Sequence, residues 1–205
     1  MRYGRGVSPR RSVADTRDTH HAIVRRAMDV ASVAGLDGLS IGGLASDLGM
    51  SKAGVAGHFA NKQQLQLEAI DGAVELFTAT IAPSLRERTP GLDRLRAGVE
   101  AWFAYLEDNP FPGGCLIQAA AAEQDGRPGP VRDAVVAADG QWRAFLLREL
   151  RTAIEAGELP ADTDAGQRCF VLLALGAGLN QAVQLRADPQ AGDRARRAAR
   201  ALLDR

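Results

Sequence analysis

Apolar residues recur along this chain at three- and four-residue intervals and almost nowhere in alternation, so the pattern predicts helices and no strands. From His20, the positions Ile23, Ala27, Val30, Ala31 and Ala34 trace one face of a first helix. Gly35 stands where a positive-φ residue would stop it. Ser40 is placed to cap a second helix reaching about Leu48, and Ser51 a third reaching about Phe59. Asn61 can cap a fourth, which Pro83 closes. A fifth is expected from Leu92 to about Asp108, where Asn109-Pro110-Phe111-Pro112 breaks the chain. A short helix follows Cys115, and Pro130 suits the first turn of a long helix reaching about Ala156. Asp162 or Thr163 can cap the next, and Asp188-Pro189 opens a last helix ending at Leu203. The expected fold class is therefore all-α with about nine helices, preceded by a flexible, arginine-rich arm over residues 1–18.

The segment Gly38-Leu39-Ser40-Ile41-Gly42 matches the G-x-S-x-G pattern of a hydrolase nucleophile elbow. An elbow needs a strand before its serine and a triad histidine further along. Here a helical pattern precedes Ser40, and the one later histidine, His58, lies in the same small unit. Ser40 is read as a helix cap, and no catalytic residue is assigned.

The same window meets the separate demands of a helix-turn-helix. Two steeply crossing helices need a small residue where they touch, which is Ala45. Their turn needs a residue tolerant of positive φ, which is Gly49, and the second helix must bury an apolar side chain, which is Val55. Leu44, Leu48 and Phe59 complete the buried face, the alternative being an ordinary helical hairpin.

Charge sharpens this picture. Formal net charge is zero, yet residues 1–62 hold nine Arg and Lys against five Asp, a surplus of four positive charges that the rest of the chain cancels. A basic front on an acidic rear fits a head for nucleic acid on a helical body. Hydrophobic residues make up 46% of the 205, enough for a real core, and aromatics only 5%. No apolar run comes near the roughly 18 residues that cross a bilayer, and the start carries no secretory leader pattern. Cys115 and Cys169 lack CxxC partners, so a reduced, cytoplasmic protein with two free thiols is expected.

The run from Leu39 to Leu65 resembles the DNA-binding region of the tetracycline-repressor-type (TetR) transcriptional regulators, most strongly at Ser51-Lys52, His58-Phe59, Lys62 and Leu65. The resemblance is close over about residues 20–67, and beyond them it holds only for an all-helical body of suitable length. It implies a three-helix head over residues 19–66 and a ligand-binding and dimerisation domain over 67–205. Ser51, Lys52, Ala53 and Gly54 would start the recognition helix against phosphates or base edges, with Ala56, Gly57 and His58 following. Lys62 can bind phosphate at the start of the fourth helix, with Ser40, Arg25 and Arg26 as further candidates. For Lys62, Arg25 and Arg26 the alternative is a solvated surface charge, and for His58 a ring packed beneath Phe59. Ala56 stands where the family usually has a tyrosine, and Gly42 and Gly43 occupy a turn where charges are usual. With Gly54 and Gly57 so near, strong direct base readout is in question, and shape and phosphate contacts carry more.

The helix after residue 163 is nearly apolar all round, with Ala174, Gly176, Ala177 and Gly178 at its middle, so it must be buried. The resemblance places a homodimer face on about residues 163–203, the alternative being burial within one subunit. It also implies an effector pocket among the middle helices. Its candidates are Trp102, Phe103, Leu106, Cys115 and Gln118, together with Trp142, Phe145 and Phe170. The expected function is a regulator, by family habit a repressor, bound to a palindromic operator as a dimer and released by a small, partly hydrophobic effector. A helical interaction module with a degenerate head and, behind it, a small-molecule enzyme are the rival readings. No metal-ligand spacing or phosphate-cradling loop is present, so neither metal nor cofactor is expected.

Overall fold

The computed structural model describes residues 13–204. Among them are α1 (Val13–Ala34), a 3-10 turn (Leu36–Gly38), α2 (Ile41–Asp47), α3 (Lys52–Ala56), α4 (Lys62–Leu85) and α5 (Leu92–Glu107). After these come α6 (Leu116–Gln124), α7 (Pro130–Glu155), α8 (Ala165–Arg186) and α9 (Ala191–Leu203), with no strand among the described residues. The all-α expectation is met.

Three of the expected caps close their helices as read. Ser40 Oγ accepts from the Gly43 N–H and Ser51 Oγ from the Gly54 N–H, each at 3.0 Å. Asn61 Oδ1 accepts from the Gln64 N–H at 2.9 Å. Each cap is worth about 1 kcal/mol. Ser40 is thus the end of a helix with another helix before it, and the elbow reading fails on geometry.

Three expectations are corrected. α1 begins at Val13, so residues 13–18 of the expected arm are helical, with Asp15 in the dipole-favoured first turn; residues 1–12 lie outside the described residues. Pro83 does not end α4, which runs on to Leu85. A proline in the last turn removes a single helical bond, and the chain becomes extended only at Arg86. α8 is capped by Asp164, whose Oδ1 accepts from Gln167 N–H at 2.9 Å, not by Asp162 or Thr163. The Thr163 N–H already closes a turn onto the Pro160 carbonyl at 3.0 Å, which delays the helix.

Two apolar cores result. In the first, Ile23, Ala27 and Ala31 of α1 meet Leu44, Ala45, Val55 and Phe59, with Leu65, Ala69 and Ile70 of α4 below. Phe111, Leu116, Ala120 and Val135 belong to this same cluster. The head is therefore closed from beneath by the 109–114 loop, α6 and the start of α7, and the expected boundary at residue 66 falls inside α4. The second core joins α5 to α7, α8 and α9 around Phe103, Leu106, Leu146 and Leu172. Buried Glu149 is braced there by Arg94 at 3.3 Å, Arg148 at 3.0 Å and the Gly91 N–H at 3.1 Å, so its charge is compensated on three sides.

Candidate nucleic-acid interface and ligand cavity

Helix pair α2–α3 meets as the sequence requires. Ala45 and Val55 are buried together with Leu44 and Phe59, while Gly49 takes φ 62° in the turn. The Met50 N–H returns to the Ala45 carbonyl at 2.8 Å and fixes the sharp change of direction. Ser51, Lys52, Ala53, Ala56 and Gly57 are left exposed, with Gly54 half-buried.

The remaining DNA candidates divide. Lys62 is exposed, and its Nζ donates to the Asp37 carbonyl at 2.5 Å. Ser40 is exposed, its Oγ engaged in the cap of α2. Arg26 pairs with Asp47 of α2 at 2.8 Å, which ties α1 to the motif. His58 is half-buried, its ring 5.5 Å from that of His20 and 6.3 Å from Phe59. The Arg25 guanidinium pairs with Asp29 at 3.4 Å, lies 5.1 Å over the Phe111 ring and donates to the Pro110 carbonyl at 3.2 Å. That contact spans 85 positions of sequence, so helical spacing alone gave no sign of it.

The 3-10 turn beneath the motif is a junction. Glu123 of α6 accepts from the Leu36 N–H at 2.7 Å and the Asp37 N–H at 2.8 Å. Gln66 of α4 donates to the Leu36 carbonyl at 2.9 Å, Lys62 binds the Asp37 carbonyl, and Arg127 pairs with the Asp37 carboxylate. Carboxylate bonds to two orphan N–H groups are of the stronger, charge-assisted kind.

A cavity of about 670 Å³ opens in the body between α4, α5, α6, α7 and α8. Trp102, Cys115, Gln118, Trp142, Phe145 and Phe170 line it as expected. Phe103 and Leu106 do not line it. Both are fully buried in the body core, and Phe103 lies on the side of α5 next to Ala199 and Leu203 of α9. Consecutive residues lie about 100° apart on a helix, so Trp102 alone of α5 reaches the space. The sequence reading missed the α4 wall, formed by Val74, Phe77, Thr78, Ile81, Ala82 and Leu85, and missed Asp139 and Gln141 on α7. Their i, i+3, i+4, i+7 spacing is the same signal as any buried stripe.

The aromatic wall is continuous. Trp142 stacks on Phe145 with ring centres 4.9 Å apart, and meets Phe77 at 5.2 Å and Trp102 at 5.4 Å edge to face. Gly176 makes room for it: a Cβ there would lie 2.1 Å from Trp102 Cη2. Trp142 Nε1 is buried without a hydrogen-bond partner among the described residues. Burial pushes the Cys115 thiol above the ordinary cysteine range, so it is a wall atom and not an activated nucleophile.

α8 corrects one further expectation. By length and composition it is apolar enough to cross a bilayer, because its charges, Arg168 and Arg186, stand near its ends. Only 28% of its most apolar stretch is buried, and Phe170 and Leu185 are 68% and 74% exposed. With Ala174, Ala177 and Gly178 they form an exposed stripe of small and apolar residues, of which Phe170, Ala174 and Ala177 also line the open side of the cavity.

A helix-turn-helix mounted on an all-helical body with an open cavity is the architecture of a transcriptional regulator. Residues 91–199 match the family described as tetracyclin repressor-like, C-terminal domain. The chain belongs to the TetR family of transcriptional regulators. A TetR regulator from Chloroflexus aurantiacus J-10-FL is similar at TM-score 0.83 and 26% identity, over 91% of this chain and 94% of that one. A TetR-family regulator from Cytophaga hutchinsonii aligns at TM-score 0.78 and 20% identity, over 94% and 96%. AibR, solved with isovaleryl coenzyme A and operator DNA, aligns at TM-score 0.74 and 19% identity, over 90% and 98%. No curated protein matches the sequence.

Proposed function

We propose that this protein is a repressor acting in the cytoplasm, which binds a palindromic operator as a homodimer and is released when a small, partly hydrophobic effector enters the body cavity. The observation that carries this reading is the double duty of α4. Lys62 stands at its first residue, while Phe77, Thr78 and Ile81 line the cavity. Residues 62 and 77 are separated by about 22 Å along a helix of 1.5 Å rise. A rigid helix with one end at the head and one at the ligand converts a small tilt into a displacement of the head.

In this reading the exposed starts of α2 and α3 face the major groove, with Ser40, Ser51, Lys52, Ala53 and Gly54 near phosphates. Ala56 and Gly57 allow close backbone approach, and His58 and Arg26 act from the flank. The outward stripe of α8 meets its copy across a two-fold axis, which brings two heads to successive grooves about 34 Å apart. AibR, whose structure holds both an acyl-coenzyme A and operator DNA, supports a fold able to carry the two ligands together.

Release requires that the effector favour the body conformation whose heads do not match the grooves. Selection of bound duplexes from a random DNA pool tests the proposal. Enrichment of inverted half-sites supports it. Recovery of unenriched sequence favours the interaction-module reading, to which the short, small-residue α3 lends some weight.

A further inference from the structure

We propose that the effector class for this cavity is a cationic amphiphile, an ammonium compound bearing an aryl or alkyl tail, with its charge at Asp139 and its tail along the aromatic wall. The inference rests on the reading of the cavity as the effector site and narrows it. Among the described residues that line the cavity, Asp139 is the sole charged side chain; no Lys, Arg or His lines it. Asp139 is exposed, at the rim, and Trp142 lies one turn further along the same helix. Arg143, at i+4 from Asp139 on α7, does not line the cavity but a separate groove with Arg148 and Arg151.

The chemistry separates ligand classes by charge. A carboxylate or phosphate head drawn into this space would find no cation in the cavity lining and would face Asp139, so its desolvation is poorly compensated there. An ammonium head gains the Asp139 carboxylate, and carbons bearing partial positive charge meet the ring faces of Trp142 and Trp102. The tail replaces water against Phe77, Ile81 and Phe145, at a volume ordinary for a small-molecule site.

The chain has two tryptophans, Trp102 and Trp142, and both line the cavity, so intrinsic fluorescence reads it directly. Three probes of matched tail are titrated into the intact protein: 4-phenylbutyltrimethylammonium, 4-phenylbutanol and 5-phenylpentanoate. The expected order of affinity is cation, alcohol, carboxylate, with the cation at least about tenfold ahead of the carboxylate. Asp139→Asn is expected to collapse that ratio to within about twofold, with folding checked by circular dichroism. Tight binding of the alcohol with no preference for the cation over the carboxylate overturns the charge assignment while leaving the cavity as an effector site. So does a ratio that Asp139→Asn leaves unchanged. Failure of all three to alter tryptophan emission at millimolar concentration overturns the cavity reading with it.

Discussion

The carboxylate of Glu123, on α6, accepts the backbone N–H of Leu36 at 2.7 Å, and so fastens the turn beneath the helix-turn-helix to a helix of the body. Three residues of that same helix, Ile117, Gln118 and Ala121, line the cavity. The turn is held from α4 as well, through Gln66 and Lys62. Head and body are therefore joined through two helices that both hold one three-residue turn.

Glu123→Ala removes the acceptor for two N–H groups. Each bond to a charged partner contributes about 1.5–3 kcal/mol at most, and the partial exposure of this pair reduces it. Amide exchange at Leu36 and Asp37 is expected to speed by about tenfold or more, and operator affinity to fall as a looser head must be ordered on binding. Unchanged protection at both amides would show that the turn is held without α6.

Lys62→Ala is expected to weaken binding to all duplexes alike. It should also flatten the dependence of log affinity on log salt by about one unit per head. Binding isotherms by fluorescence anisotropy between about 50 and 200 mM salt read this slope. The present bond to the Asp37 carbonyl is not an obstacle, since an ammonium has three donors. An unaltered slope would confine Lys62 to the fold of the turn.

Gly176→Ala places a methyl against a buried indole. Overpacking of this kind costs about 1–3 kcal/mol, more than the gain of up to about 1 kcal/mol from replacing a helical glycine. Chemical denaturation should show the loss, with a shift in tryptophan emission. Gly140→Ala on α7, where a Cβ meets nothing within 4 Å, is the matched control and should be neutral or stabilising. Equal effects of the two would refute the packing account of Gly176.

The outward stripe of α8 is tested by Phe170→Asp combined with Leu185→Asp. Both side chains are mostly exposed in one protomer, and two carboxylates on the stripe would be desolvated in any helical pairing. Sedimentation of the variant at about 10 µM should give a monomer where the native chain gives a dimer. A dimer that persists would move the interface elsewhere.

What could be read from the residues alone follows from the range of the forces involved. Caps at Ser40, Ser51 and Asn61, and the contact of Ala45 with Val55 across Gly49, depend on a few neighbours and were legible. The cap of α8 was displaced from the expected Asp162 or Thr163 to Asp164 by a turn closed on Pro160, a competition between two local bonds that spacing does not rank. The contacts of Arg25 with Pro110 and Phe111 were not legible because both come from a distant loop, whereas its i, i+4 pairing with Asp29 is local. For the cavity, the aromatic residues stood out, yet Phe103 and Leu106 are equally apolar and serve only the core. The α4 wall was invisible since Phe77 and Ile81 follow the same periodicity whether they face a core or a space.

The most direct measurement is the affinity of the native protein for its selected duplex, set against a scrambled duplex of equal length at about 150 mM salt. The expected result is a specific complex of two protomers per duplex, at least about a thousandfold tighter than the scrambled control. Equal affinity for both duplexes would contradict the assignment of α2 and α3 as a sequence reader.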